Sequence, residues 1–147
     1  MYLMCCLVVA LLFLPAMAVS EPDQEVREAT ATEANAARRA AVEKRVAAKW
    51  DALIRRDFAA AYEFTSPAYR KVSSLDAFKH SFGNGRVVWR RVEVVSVEFE
   101  DDKAATVGIK IHILYYAPQS QQPVDMATHD QESWVYEDGQ WWYVVKQ

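Results

Sequence analysis

The spacing of apolar residues changes character at one point in the chain. Before Gly85 the large apolar residues recur every three or four positions; after it they alternate. Val42, Val46, Trp50, Leu53 and Ile54 form a stripe at helical spacing. Upstream, Glu25 to Ala41 is rich in Ala, Glu and Arg and lacks large apolar residues after Val26, which predicts a solvated helical stalk or a partly disordered spacer. Asp57 is placed to cap a short helix from Phe58 to Phe64. In Thr65-Ser66-Pro67 the serine can serve as N-cap and the proline as first helical residue. Ser73 or Ser74 then caps a helix carrying Leu75, Phe78 and Phe82, which Gly83-Asn84-Gly85 ends.

The second half predicts strands. Val95, Val97 and Phe99 alternate, as do Val107, Ile109, Ile111, Ile113 and Tyr115. A two-residue turn at Asp101-Asp102 would set these two apolar rows on opposite faces. A three-residue turn pairs Val97 with Val107 and Val95 with Ile109, so the longer turn or a bulge is expected. After the polar loop Ala117 to Pro123, a last hairpin runs from Val124 to Glu137, turns at Asp138-Gly139, and returns from Gln140 to Val145. Helices first and antiparallel strands afterwards predict an α+β fold, with the helices on one face of a sheet.

In the last hairpin a two-residue turn sets Tyr136 opposite Trp141, Val135 opposite Trp142 and Trp134 opposite Tyr143. Trp141 and Trp142 therefore face apart. Two parities remain for the strand before the turn. In one, the Ile row shares its face with Val135, Trp142 and Val144, and His129, Gln131 and Ser133 look inward. In the other, reached through a bulge, Trp134 and Trp141 join the core and bring Asp130 and Glu132 with them.

Composition bounds the setting. The chain has 147 residues, the length of one domain. Leu3 to Val19 is almost unbroken in apolarity and is followed by Ser20-Glu21-Pro22-Asp23, with small residues at Ala16 and Ala18. This predicts a signal peptide over residues 1–18, cut after Ala18, and hence a periplasmic or secreted protein; an N-terminal membrane anchor is the alternative. Cys5 and Cys6 both lie in that segment, so the remainder carries no thiol and no disulfide. A net charge of −3 without a basic block argues against nucleic acid, and against a membrane once the signal is gone.

From Val42 onward the chain resembles the NTF2-like (SnoaL-like, cystatin-related) superfamily. The resemblance lies in WDALIRRDFAAAYEFTSPAYR, SLDAFKHSFG and the closing WVYEDGQWWYVV, and it is closest to small exported bacterial members. It implies a cone of helices against a curved antiparallel sheet over residues 42–147, with residues 19–41 as the stalk. Members include isomerases and dehydratases, ligand binders and assembly modules, so the fold by itself leaves activity open. In the family the tryptophan two places after the turn glycine tends to face inward, which favours the second parity, with Trp141 inside and Trp142 on the outer face.

The candidate chemistry follows. Trp50, Tyr62, Tyr69, Tyr115, Trp134, Trp141 and Tyr143 are the residues expected around a small apolar ligand. An isomerase- or dehydratase-like reaction would need a base, for which Asp130, Glu132 and His129 are candidates, with Tyr62, Tyr69 or Tyr115 as donor. Lys110, Asp130 and Glu132 can equally pair across strands on a solvated face. His112 and His129 lie on adjacent strands with no third ligand in metal-binding spacing, and His80 is on a helix, so neither metal nor cofactor is expected. Arg70 is expected to bridge to Glu63 or solvent. The leading expectation is a non-catalytic domain that binds a small apolar ligand or a protein partner and forms a homodimer through the outer sheet face. The alternatives are the enzyme, an envelope-assembly module using the stalk as adaptor, and an SH3-like peptide or cell-wall binder.

Overall fold

The computed structural model describes residues 22–82, 87–118 and 122–146, with side chains from Val26 onward. The expected signal segment and the Gly83-Asn84-Gly85 stop lie outside the described residues. Among the described residues four helices precede four strands: α1 (Pro22–Ile54), α2 (Phe58–Tyr62), α3 (Pro67–Val72), α4 (Leu75–His80), β1 (Val87–Phe99), β2 (Ala104–Tyr115), β3 (Val124–Glu137) and β4 (Gln140–Val144). No helix among the described residues is long and apolar enough to cross a membrane.

The chain divides into two units, residues 1–33 and 34–147. In the first, the backbone is helical from Pro22, its described side chains are exposed, and the Thr30 and Thr32 hydroxyls donate to the carbonyls of Val26 and Glu28. In the second, α1 runs on to Ile54 and buries Val42, Val46, Trp50 and Leu53. The helix closes with the Asp57 amide on the Ala52 carbonyl and the Arg56 amide on the Leu53 carbonyl, with Arg56 left-handed at φ 60°. Asp57, Ser66 and Ser74 each cap the helix that follows by accepting from a backbone amide, and Pro67 opens α3. These helices are one to two turns long, so packing holds them. Phe58 stacks on Phe82, and Phe78 meets Phe82, Tyr62 and Tyr69.

The strands form one antiparallel sheet in the order β1-β2-β3-β4. Beyond the Glu100 amide, which donates to the Ala104 carbonyl, the three residues Asp101 to Lys103 make the turn from β1 to β2 and set Val97 opposite Val107. The expected pairing of Val95 with Ile109 is corrected by a bulge. Val94 takes that place, Ser96 pairs with Gly108, and Val95 is pushed out to 55% exposure. A second irregularity lies between Trp89 and Arg91. Each inserted residue bends β1, and the sheet can then curve over the helices.

The β2–β3 ladder settles the parity. Ala105 faces Trp134, Val107 faces Glu132 and Ile109 faces Asp130, without a register shift. Trp134 and Trp141 thus join the core as in the second alternative, though without the bulge expected to reach it in this ladder. Asp138 and Gly139 make the tight turn, both left-handed at φ 52° and 80°. The outer edge of β4 is itself paired: the Tyr143 amide donates to the Phe64 carbonyl and the Ser66 amide to the Tyr143 carbonyl.

Trp142 does face away from Trp141, but it is not an exposed anchor. Only 8% of it is accessible, because the guanidinium groups of Arg45 and Arg70 lie within 5.3 Å and 5.0 Å of its ring centre.

Candidate functional site

Two constellations flank the inner face of the last hairpin. The first lies in the core, where the stripe of α1 carries a charge. Lys49 is one turn from Val46 and Leu53 and only 1% exposed. Its ammonium forms a short ion pair with Glu132 Oε1. The Trp50 indole donates to the same oxygen at 2.8 Å, and the Trp134 indole donates to Oε2 at 3.1 Å. The rings of Tyr143, Trp50 and Trp134 surround the Lys49 nitrogen at 3.8, 4.9 and 5.7 Å. Both carboxylate oxygens of Glu132 are therefore held by donors, which is what burying a charge requires.

The same environment displaces the neighbouring titrations. Burial drives the Lys49 ammonium below its ordinary value, a pull that the charge and hydrogen bond of Glu132 oppose. Burial first, then the negative charges of Glu132 and Asp130, push the Tyr143 phenol above its ordinary value. For Asp130 partial burial pulls upward, but hydrogen bonds from Lys146 and the Gln131 amide win and hold it below the usual carboxylate range.

The three candidate bases do not converge. Glu132 is buried and fully engaged. Asp130 is exposed and bonds Lys146 at 2.9 Å. His129 is exposed on the other face, opposite Lys110. Lys110 therefore lies on that outer face and does not pair with Glu132; the partner comes from α1 instead. Of the candidate donors, Tyr62 is tied to the Ser73 carbonyl and packs with Tyr69 and Phe78, while Tyr115 lies half-buried at the far end of the sheet, between Val87 and Val124. Trp50 also meets Trp89 edge to face at 5.9 Å, and Trp89 meets Phe82 in the same way. So Trp50, Trp134 and Tyr143 gather around Lys49, Tyr62 and Tyr69 gather around Phe78, and Tyr115 stands apart.

The second constellation is a groove of about 410 Å³ between α1 and the end of the sheet. Ala37 and Ala41, one turn apart, form its helical wall; Tyr136 and Trp141, in contact at 5.3 Å, form the opposite one. Tyr136 remains 40% exposed. Arg38 and Asp102, paired at 3.1 Å, lie along the rim, and the Arg38 guanidinium covers Phe99. One turn beyond Ala41, Arg45 donates from Nε to the Trp141 carbonyl at 2.9 Å and stacks on Phe64.

Among the described residues no group of three or more His, Cys, Asp or Glu is arranged to hold a metal. His112 pairs with Glu93 at 3.2 Å, and His80 bonds the Asp76 carbonyl. Arg70 lies 3.8 Å from the Glu63 carboxylate and donates to the Glu63 and Thr65 carbonyls. Sequence reasoning missed Lys49 and Arg45. The signal for Lys49 was its spacing: positions 42, 46, 49 and 53 form one helical row with a lysine in the middle.

No protein-family model matches the chain, and no curated protein matches it. Solved structures do. A SEC-C motif-containing protein from Rhodopseudomonas palustris aligns with a TM-score of 0.51 at 16% identity, over 65% of this chain and 69% of that one. Another, from Psychrobacter arcticus, aligns at 0.48 and 18% identity over 64% of this chain, which spans only 52% of that protein. The CaMKII hub homology domain of Chlamydamonas reinhardtii aligns at 0.51 and 18% identity, over 71% of this chain and 92% of the hub domain. The hub domain has the NTF2-like fold, so the likeness shows what the topology shows: α+β, with helices packed on a curved antiparallel sheet.

Proposed function

We propose that the chain is an exported, non-catalytic binding domain of the NTF2-like superfamily, which takes a small apolar ligand in the groove between α1 and the β3–β4 hairpin. One observation carries this reading: two alanines on α1 leave space opposite Tyr136, whose ring stays 40% exposed beside the buried Trp141, where larger helical residues would close the groove. Export rests on the apolar leader and the small residues at Ala16 and Ala18. The enzymatic alternative needs a free carboxylate in an open site, whereas Glu132 is occupied by Lys49 and two indoles.

Titration with the neutral fluorophore phenylnaphthylamine tests the site. Its emission should rise on binding, and Ala41→Trp should weaken binding by about tenfold or more by filling the groove. Equal affinity in that variant would refute the location, and no emission change with the parent chain would refute the ligand class.

A homodimer through the outer sheet face belongs to the same proposal. With Trp142 covered, that interface rests on the polar row of Arg91, Glu93, Lys110, His112 and His129.

A further inference from the structure

We infer that Arg45, with Arg70 beside it, forms an oxyanion site one helical turn beyond the groove, against the Trp142 ring, so that the ligand is amphipathic: an apolar body with a carboxylate, phosphate or sulfonate head. The apolar half rests on the groove reading above; the anionic half stands on its own observations.

Arg45 is the first. Its Nε is spent on the Trp141 carbonyl, yet its terminal nitrogen Nη2 is buried and meets no acceptor among the described residues. Buried polar groups nearly always have a partner, so an orphaned guanidinium nitrogen marks an unmet demand for an acceptor, which an anion meets once the Arg45 head turns out to it. No carboxylate among the described residues pairs with Arg45.

Arg70 is the second. Two guanidinium groups share the Trp142 ring, and Arg45 is pulled below its ordinary value by burial and then by the charge of Arg70. Two cations held together repel, and an anion placed between or beside them removes that repulsion. Among the described residues the carboxylate that pairs with Arg70 is that of Glu63, which is 72% exposed and reaches it only at 3.8 Å. The backbone carbonyls of Glu63 and Thr65 fix Arg70 in place, so its charge is oriented and only loosely neutralised.

Continuity with the groove is the third. Ala37, Ala41 and Arg45 follow one another at four-residue spacing along α1, about 6 Å per step. Helical side chains lean toward the N-terminus, which carries Arg45 toward Ala41. The residue whose carbonyl Arg45 holds, Trp141, is also the one whose ring lines the groove. A planar guanidinium fork suits an oxyanion because it offers parallel N–H donors.

Two probes of similar apolar body separate the halves: anilinonaphthalene sulfonate and neutral phenylnaphthylamine. The sulfonate should bind more tightly. Arg45→Gln should weaken the sulfonate about tenfold more than it weakens the neutral probe. Glu63→Gln should strengthen the sulfonate by removing the competing carboxylate. An Arg45→Gln variant that weakens both probes equally, or neither, overturns the inference while the groove reading survives on the neutral probe. Should Arg45→Gln fail to fold, inorganic phosphate and acetate titrated into the parent chain decide it through the NMR signal of the Trp142 indole N–H. A saturable shift with either supports the oxyanion site, and the stronger of the two identifies the head group. No shift with either overturns it. Loss of neutral-probe binding with a surviving phosphate shift would refute the groove and leave the anion site standing.

Discussion

Lys49 is the residue on which the interior turns. A lysine buried to this degree is tolerated because its charge meets Glu132 and three aromatic faces, and Glu132 in turn because it meets three donors. Such a pair contributes little relative to an apolar core, but breaking one half is costly. Lys49→Met should therefore cost about 3–5 kcal/mol, and adding Glu132→Gln, which removes the unpaired charge and keeps an acceptor for one of the two indoles, should recover part of it. Urea unfolding of both single variants and the double variant measures the coupling, and strictly additive losses would contradict the pair. Tyr143 gives the pH dependence. Its phenol is raised in the folded state, so the stability it contributes is complete below the unfolded value near pH 10 and is lost as pH climbs above it. Stability compared from about pH 9 to about pH 11 should fall more steeply in the parent chain than in Tyr143→Phe. The sequence brought Glu132 inward under the second parity but did not reveal its partner, because a lysine on a helix is ordinarily solvated and the two residues lie far apart along the chain.

The elements differ in how openly they are written. Caps at Asp57, Ser66 and Ser74 and the Asp138-Gly139 turn were legible, since each depends on a residue and its immediate neighbours. The three-residue turn was legible for a different reason: only that length keeps Val97 and Val107 on one face. The bulge at Val95 was not, because one valine in a run of alternating residues looks like any other. Its trace was Gly108, whose partner Ser96 comes so close that an added Cβ would lie 2.5 Å from the serine Oγ. Gly108→Ala should accordingly cost about 1–2 kcal/mol, and Ser96→Ala in the same chain should restore part of it, because it removes the hydroxyl at 2.5 Å and leaves Val95 Cγ2 at 3.3 Å. Thermal unfolding of the single and double variants reads this directly. The parity of β3 was open in the sequence because the loop before it could take either phase. The inward tryptophan usual in the superfamily that the sequence resembles pointed to the parity that the ladder adopts.

At the scale of the molecule, the fold class was readable from the change of period at Gly85, and the solved neighbours agree with it. The candidate site was less so. An aromatic-lined cone was expected, yet its tryptophans and tyrosines pack on one another and on Lys49, and the groove lies at the hairpin end of α1 instead. Of the seven residues expected to bind, Trp141 lines that groove. A homodimer should appear in light scattering of the leaderless chain as twice the monomer mass, weakening with salt if charged pairs hold it; a monomer at high concentration removes it. The central claim is the location of the ligand, and the five tryptophans report on it. NMR of the indole N–H groups during a phenylnaphthylamine titration should move Trp141 and leave Trp50 and Trp134 in place. Movement of Trp50 and Trp134 with Trp141 unchanged would place the ligand in the cone and contradict the account.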